Sequence, residues 1–446
     1  MGGGRGASLL MSAFLLGHFV LVTGRNPPMV GSQSAIEVAP TPRILIVGGT
    51  GRIGTAAALH LLTSTNDAQE RRQKVHITLA GRSPSRGRAA VREVLREAQG
   101  AASDEDISYV ELDWRNRNDL KDALKGVAAV IHTAGPYLGE HPDVLKAAIE
   151  SKVPVYVDVS DPVDYINSAK AMGDAACSSG TIALCSAGAF PGLSNVLAME
   201  CADRVGDRVK DIDFSYFTAG LGGSGEVNLL ITNEGFGEPM LVFRNGKLVK
   251  RFTAGGDSRK AKFYIKDDDC PQGLSVNDRF GTGPFLKEWG PRLIYGNVIL
   301  NAMVAIVPRS WWKSKAFSEG LARFSKPMVA LTDKAVGETH AMRVDVTGEN
   351  GRTITAVQAH ESFRRVVGQS CAEFTLALLE VYDSDAIGVD SRADLMRPSS
   401  GVFTPEELFQ TRSARKPVLK RLLSTPGTLN YGFDEGVVTA QKSTDR

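Results

Sequence analysis

Gly48-Gly49-Thr50-Gly51-Arg52-Ile53-Gly54 sets glycines 49, 51 and 54 at the spacing that lets a backbone wrap a pyrophosphate. A tight turn is needed at Gly49. A side chain at Gly51 would stand between the backbone and the ligand. At Gly54 a helix has to lie close on a strand. Thr50, Arg52 and Ile53 complete the turn, so the free N–H groups and positive end of the helix that follows face the phosphates. A second cluster, Leu79-Ala80-Gly81-Arg82-Ser83, selects between two related dinucleotides. A ribose with two free hydroxyls is usually held by an acid at this place, and none is present. Arg82 instead offers a planar cationic fork suited to a 2′-phosphate, and Ser83 adds a hydroxyl. Arg86 and Arg88 stand close by in sequence. The expected ligand is NADP(H) rather than NAD.

Further residues belong to the same expected edge. Asp113 is placed to accept from an adenine amino group. Ala134-Gly135-Pro136-Tyr137 would run beside the nicotinamide ribose, with Asp158 and Ser160 next to it. A hydride transfer there needs a positioned substrate and one proton. Tyr137 and Asp158 are the candidates for the proton, and Asn195 or Arg279 for orienting the substrate. Each has a structural alternative. Tyr137 can pack against the cofactor, Asp158 can accept backbone N–H groups, and Ser194-Asn195 can cap a helix.

The elements that must hold these residues are legible as alternation. Arg43–Val47 is a short apolar run of the kind buried on both faces of a parallel sheet. A helix pattern follows from Gly51. Strands are predicted over 75–79, 107–112, 128–131, 153–159 and 181–185. Helices are predicted over 89–98, 120–124, 142–151, 163–178 and from about 194 to 204. Strand–helix alternation of this kind predicts an α/β fold, a doubly wound parallel Rossmann sheet. Beyond it the character changes. A strand over 212–217 leads away. Asn245-Gly246 between the arms of 240–252 signals a hairpin, 261–265 reads as a strand, and 341–346 with 353–359 forms a second hairpin around Glu349-Asn350-Gly351. A helix over 363–382 should return to the first domain. Thr404-Pro405-Glu406-Glu407 is a helix start with a capping box. The expected domains are 43–207 for the nucleotide, an inserted mixed α/β domain rich in antiparallel strands over 208–362, and a return helix with a tail over 363–446.

Composition narrows the class. The 446 residues are 43% hydrophobic and 23% charged with net charge +2, which suits two globular domains and gives no ground for a nucleic-acid partner. Five cysteines without a C-x-x-C pair and seven scattered histidines argue against a disulfide framework and against a metal site. The apolar run from Leu9 to Val22 is too short to span a membrane and fits a signal-peptide core, giving a targeting segment over 1–24 and a transit-like stretch over 25–42. Plastid import is the expected destination, with secretion as the alternative, and the mature chain is expected to have no membrane span. The stretch 293–307 is apolar and fits a core or subunit contact.

Taken together, Gly48–Gly54, Ala80-Gly-Arg82, Ala134-Gly-Pro-Tyr137, Tyr156-Val-Asp158 and Gly188-Ala-Phe-Pro-Gly192 resemble the saccharopine dehydrogenase-like family, with the uncharacterised plant and algal plastid members closest in look. Arg279-Phe-Gly-Thr282 and Gly401–Glu406 extend the likeness. The resemblance implies an NADP-binding Rossmann domain with an inserted substrate domain, a homodimer built through that insertion, and hydride transfer to or from the imine or carbonyl of a small molecule. Leu193-Ser194-Asn195 stands where amino-acid-using members carry charged residues, which speaks against saccharopine as substrate. A short-chain dehydrogenase would need a Tyr-x-x-x-Lys pair, and Tyr165 and Lys170 are five apart. The other class of function is a non-catalytic NADPH-binding or lipid-surface scaffold that keeps the fold.

Overall fold

Near-continuous apolar strands separated by amphipathic helices can bury themselves only by stacking side by side with helices on both faces. The computed structural model describes residues 41–65, 74–219, 240–244, 247–251, 306–336, 339–387 and 400–434. Its first part follows this rule. In chain order it runs β1 (Arg43–Val47), α1 (Arg52–Thr65), β2 (His76–Gly81), α2 (Pro84–Glu97), β3 (Ile107–Glu111), α3 (Arg117–Ala123), β4 (Ala129–His132), α4 (Asp143–Glu150), β5 (Val155–Asp158), α5 (Val163–Lys170), α6 (Gly173–Ser179), β6 (Ile182–Leu184) and α7 (Leu193–Val205). The single helix expected over 163–178 is two helices, broken at Ala171-Met172 before Gly173.

Six of these strands lie parallel in the order β6-β5-β4-β1-β2-β3, so the order reverses between β1 and β4. Alternate residues of β1 feed the two faces. Ile44 and Ile46 join one core with Ala57 and Leu61 of α1. Leu45 and Val47 join the other with Leu120 of α3 and Val144 and Leu145 of α4. This is the Rossmann arrangement, with its ligand crevice outside the carboxyl ends of β1 and β4.

The remaining strands are β7 (Val209–Ala219), β8 (Met240–Arg244), β9 (Lys247–Arg251), β10 (Thr339–Gly348), β11 (Thr353–His360), β12 (Gly401–Phe403) and β13 (Thr428–Asp434). β13-β11-β10-β7 is a separate antiparallel sheet, and β8-β9 is the hairpin marked by Asn-Gly. Met342, Val344, Val346, Ile354 and Ala356 turn one face of the antiparallel sheet into the core shared with α7. The segment after residue 363 serves both sheets. β12 adds a seventh parallel strand beside β6, and β13 adds the outer strand beside β11. The helix Phe363–Ile387 returns to lie across α1. Their contact is close, since a Cβ on Gly368 would come within 2.8 Å of Ala56 Cβ and Ile53 O. His60 of α1 and Glu373 of this helix meet at 2.7 Å in the buried layer between them.

The expected targeting and transit segments, the strand 261–265, Arg279 and nearly all of 293–307 lie outside the described residues. Among the described residues no helix is long and apolar enough to cross a membrane.

Candidate functional site at the carboxyl edge of the parallel sheet

The glycine turn takes its left-handed residue at Gly48 rather than at the expected Gly49, which is needed instead for clearance, since a Cβ on it would lie 2.7 Å from Ile46 O. Gly48 has φ +81°, and a Cβ on it would sit 2.7 Å from Ala134 N, so β1 and β4 leave no room for a side chain there. A Cβ on Gly54 would lie 2.6 Å from Gly49 Cα, which is why α1 can start flush against the end of β1. A Cβ on Gly51 would meet only Gly48 O, at 3.1 Å. Its outer side is open. The turn closes through Gly49 N–H to Ile46 O (3.0 Å) and Gly51 N–H to Gly48 O (2.9 Å). First-turn N–H groups of α1, at Arg52 and Ile53, have no carbonyl of their own helix to bond. Arg52 is exposed and Ile53 leans onto the core. Thr50 packs on Gly81, where a Cβ would lie 2.7 Å from its Oγ1, and so joins the ends of β1 and β2.

Arg82 follows β2, exposed and without an ion pair among the described residues. Ser83 caps α2, its Oγ accepting from Arg86 N–H at 3.5 Å. Asp113 is exposed after β3, and its Oδ1 accepts from the Arg115 N–H at 3.2 Å. The glycine cradle, the open side of Gly51 and the unengaged guanidinium of Arg82 fit the pyrophosphate and 2′-phosphate of NADP(H) in turn.

Beyond β4 the backbone reads Ala134-Gly135-Pro136, with the Gly135–Pro136 peptide cis and Gly135 exposed. Tyr137 adopts φ +65°, a left-handed conformation rare for a tyrosine. It folds its ring inward beneath Gly135, edge-on to His132 and Tyr165. Its hydroxyl donates to His132 O at 2.6 Å. Burial, with the Asp158 charge nearby, pushes its phenol well above the usual range. Tyr137 therefore supports the edge from inside.

Asp158 is fully buried at the end of β5. Its Oδ1 accepts from Ser160 N–H (3.0 Å), Ser160 Oγ–H (2.6 Å) and Ser186 N–H (3.0 Å), and its Oδ2 accepts from Tyr156 O–H (3.1 Å). Burial raises its pKa, and these four donors oppose the rise. Because Tyr156 gives its proton to Asp158, the 3.2 Å contact with His132 Nδ1 requires Nδ1 to donate. His132 is neutral, pushed down to about 3 by burial and by Arg115. The carboxylate thus pins the turns after β5 and β6 to each other.

Asn195 sits in the first turn of α7. Its Oδ1 accepts from Gly192 N–H at 3.1 Å, and its Nδ2 donates to Glu406 Oε2 at 2.9 Å, so it caps α7 and ties it to the turn 404–407. That turn carries the expected box, with Thr404 N–H donating to Glu407 Oε2 at 2.9 Å. The structure brings the glycine turn, Arg82, Gly135 and the Asp158 network to one edge. It does not point Tyr137, Asp158 or Asn195 into the open.

One residue at this edge escaped the sequence reading. Asp161 lies three residues after Asp158, solvent-accessible on the edge yet surrounded by protein, and loss of surrounding water pushes its carboxyl up to about 6. The only available signal was its place just past Asp158-Val-Ser160. A cavity of about 300 Å³ lies elsewhere, along the flank of α1 between Thr55, Thr63, Glu97 and Gln369, and takes in no residue of the glycine turn.

A search of curated protein sequences finds no match. Among solved structures, the chain is similar to apo saccharopine dehydrogenase (L-Glu forming) from Saccharomyces cerevisiae. That match is 13% identical with a TM-score of 0.49, over 88% of this chain and 100% of that one. Pen from Bacillus thuringiensis is 23% identical over 32% of this chain and 50% of its own, with a TM-score of 0.25. Residues 44–184 match the family model described as the saccharopine dehydrogenase NADP binding domain. Residues 44–184, which hold the phosphate cradle and Arg82 set out above, are thus similar to the NADP-binding domain of the saccharopine dehydrogenase family.

Proposed function

We propose that the protein is an NADP(H)-dependent oxidoreductase acting on the carbonyl or imine carbon of a small molecule. The observation that carries this reading is an exposed, unengaged Arg82 beside a glycine cradle, on an edge that also holds an accessible carboxyl near pKa 6. NADPH, when bound, supplies the hydride. The backbone of Gly49–Gly54 and the Arg82 guanidinium hold the phosphates. Asp113 offers an acceptor toward the adenine end. Gly135 keeps the edge beyond β4 free of side chain. Tyr137, Asp158 and Asn195 act as positioning residues that fix the three turns. Asp161 gives the proton to the reduced product and takes it back in the reverse direction, a role its raised pKa suits near neutral pH.

A non-catalytic NADPH-binding protein is the second reading, favoured by the internal engagement of Tyr137 and Asp158. One experiment separates the two. Purified protein is given NADPH and a panel of carbonyl compounds with and without amines, and the loss of nicotinamide absorbance is followed. Consumption with at least one member, slowed by about 100-fold or more in Asp161→Asn, supports the enzyme. NADPH that binds but is never oxidised supports the other reading.

A further inference from the structure

The cavity of about 300 Å³ on the flank of α1 lies between two helix ends of opposite sign. On one side stand the closing turns of α2, with Glu93 and Glu97 one turn apart. On the other stand the first two turns of the helix Phe363–Ile387, with Arg364, Arg365 and Gln369. A helix carries partial negative charge at its C-terminus and partial positive charge at its N-terminus. Both charged pairs therefore stand at the end of their own helix that repels them, and both make their pole of the cavity stronger. The poles are not closed on each other. Glu97 has the neighbouring Arg96 at 3.8 Å, Arg365 is paired with Glu361, and the half-buried Glu93 makes no ion pair among the described residues.

Between the poles the lining is α1. Ala56 and Leu59 give an apolar stretch, bordered by Thr55 and Thr63. Both threonine hydroxyls donate to carbonyls of their own helix, Thr55 to Gly51 O at 3.1 Å and Thr63 to Leu59 O at 2.9 Å, so their oxygens remain as acceptors. Gln369 is 3% exposed, its Nε2 donates to Pro426 O at 2.9 Å, and its Oε1 has no hydrogen-bond partner. Buried acceptors are usually paired. Ligand pockets run from about 300 to 1,000 Å³, so this space suits one small molecule and not a dinucleotide.

We propose that this cavity is a second ligand site, taking a small zwitterion with its ammonium group against Glu93 and Glu97, its carboxylate against Arg364 and Arg365, and a short apolar body over Ala56 and Leu59. The site is separate from the glycine edge and does not rest on the oxidoreductase reading. Its occupant touches α1, whose first turn faces the phosphates, and Thr55 ties the cavity wall to Gly51 of the glycine turn. A ligand joining α2 to Phe363–Ile387 across α1 holds the backing of the cradle in place. It should therefore tighten dinucleotide binding, and the dinucleotide should tighten its binding by the same factor.

The test uses the full chain and three probes with one carbon chain in common: L-norleucine, hexanoate, which lacks the ammonium, and pentylamine, which lacks the carboxylate. Calorimetry without cofactor should find norleucine bound at least about tenfold tighter than either. Glu93→Gln and Arg364→Gln should each weaken norleucine by about tenfold, while Arg92→Gln, exposed on α2 outside the cavity, leaves it unchanged. NADP⁺ titrated with and without saturating norleucine should bind about fivefold tighter with it. Failure of norleucine to bind, equal binding of the three probes, or charge variants equal to wild type overturns the site. The comparison of probes needs only the wild-type chain, so a variant that fails to fold does not shelter the proposal. Norleucine that binds and leaves the NADP⁺ Kd unmoved overturns the coupling. Because norleucine is read without cofactor, an absence of NADPH oxidation with every carbonyl compound counts against the oxidoreductase reading alone.

Discussion

Replacing Arg82 by alanine tests cofactor choice at a single side chain. The guanidinium is exposed and holds no ion pair among the described residues, so its removal should change folding stability by no more than about 0.5 kcal/mol. What is lost is contact with a 2′-phosphate. A hydrogen bond to a charged group contributes about 1.5–3 kcal/mol, which corresponds to roughly a 10- to 150-fold weaker Kd for NADPH. NADH has no such phosphate, and its Kd should move by less than about twofold, because Thr50, Gly51 and the first turn of α1 are untouched. Fluorescence titration with both cofactors at fixed salt, alongside a melting curve, gives all the quantities. The cofactor preference should collapse while Tm holds. An equal fall for NADPH and NADH would mean that Arg82 supports the fold of the edge. An unchanged NADPH affinity would place the 2′-phosphate elsewhere, with Arg86 and Arg88 next in line.

Three further outcomes are expected. Asp158→Asn keeps a carbonyl for Ser160 and Ser186 and needs only Tyr156 to reverse its hydroxyl, so denaturant unfolding should find a cost of about 1–3 kcal/mol. Asp158→Ala leaves those donors buried without an acceptor and should cost visibly more; equal costs would remove the network from its structural role. Asp161 should impose a pH limb on turnover, the reduction rate falling as pH rises through about 6 and the limb vanishing in Asp161→Asn. His132 and His360 are held below their ordinary value, at about 3 and about 4, chiefly by burial. At these two sites the unfolded chain binds more protons between about 3 and 6.5, while the raised carboxyls of Asp158 and Asp161 act the other way. The stability that the two neutral imidazoles contribute above about 6.5 should drain away as pH falls through that window, read as a urea midpoint that falls less on acidification in His360→Gln than in the wild type; an equal fall in the two would contradict it.

The parallel sheet was legible because a strand buried on both faces has to be apolar throughout. Arg43–Val47 was read to the residue, and β2 to β6 within a residue or two, since Val, Ile and Leu runs there have no other place to go. The glycine turn and Arg82 were legible because backbone clearance and charge depend on residue type alone. Orientation was not. Whether Tyr137 faces the cofactor or the core depends on a φ of +65° that no local pattern announces. Asn195 could be read equally as a cap or a substrate contact until Glu406, 211 residues on, came to lie beside it. β12 and β13 were missed for a related reason. Gly401–Phe403 is three residues long, and Thr428–Asp434 mixes polar and apolar residues without a clean alternation. Each becomes a strand only because β6 or β11 offers an edge to pair with.

The return of Phe363–Ile387 across α1 bears on how the chain acquires its cofactor site in time. The helix that presents its N-terminus to the phosphates is backed by a partner reached through His60 and Glu373, 313 residues apart. Its sheet is complete only when Gly401–Phe403 joins. Contacts of such long sequence separation raise the contact order and slow folding, because the loop must close before the contact stabilises anything. During synthesis the first strands and α1 therefore emerge with Ala57, Leu61 and the flank that meets Gly368 still uncovered. Binding competence should be a late event, arriving only after the second sheet and the returning helix have docked.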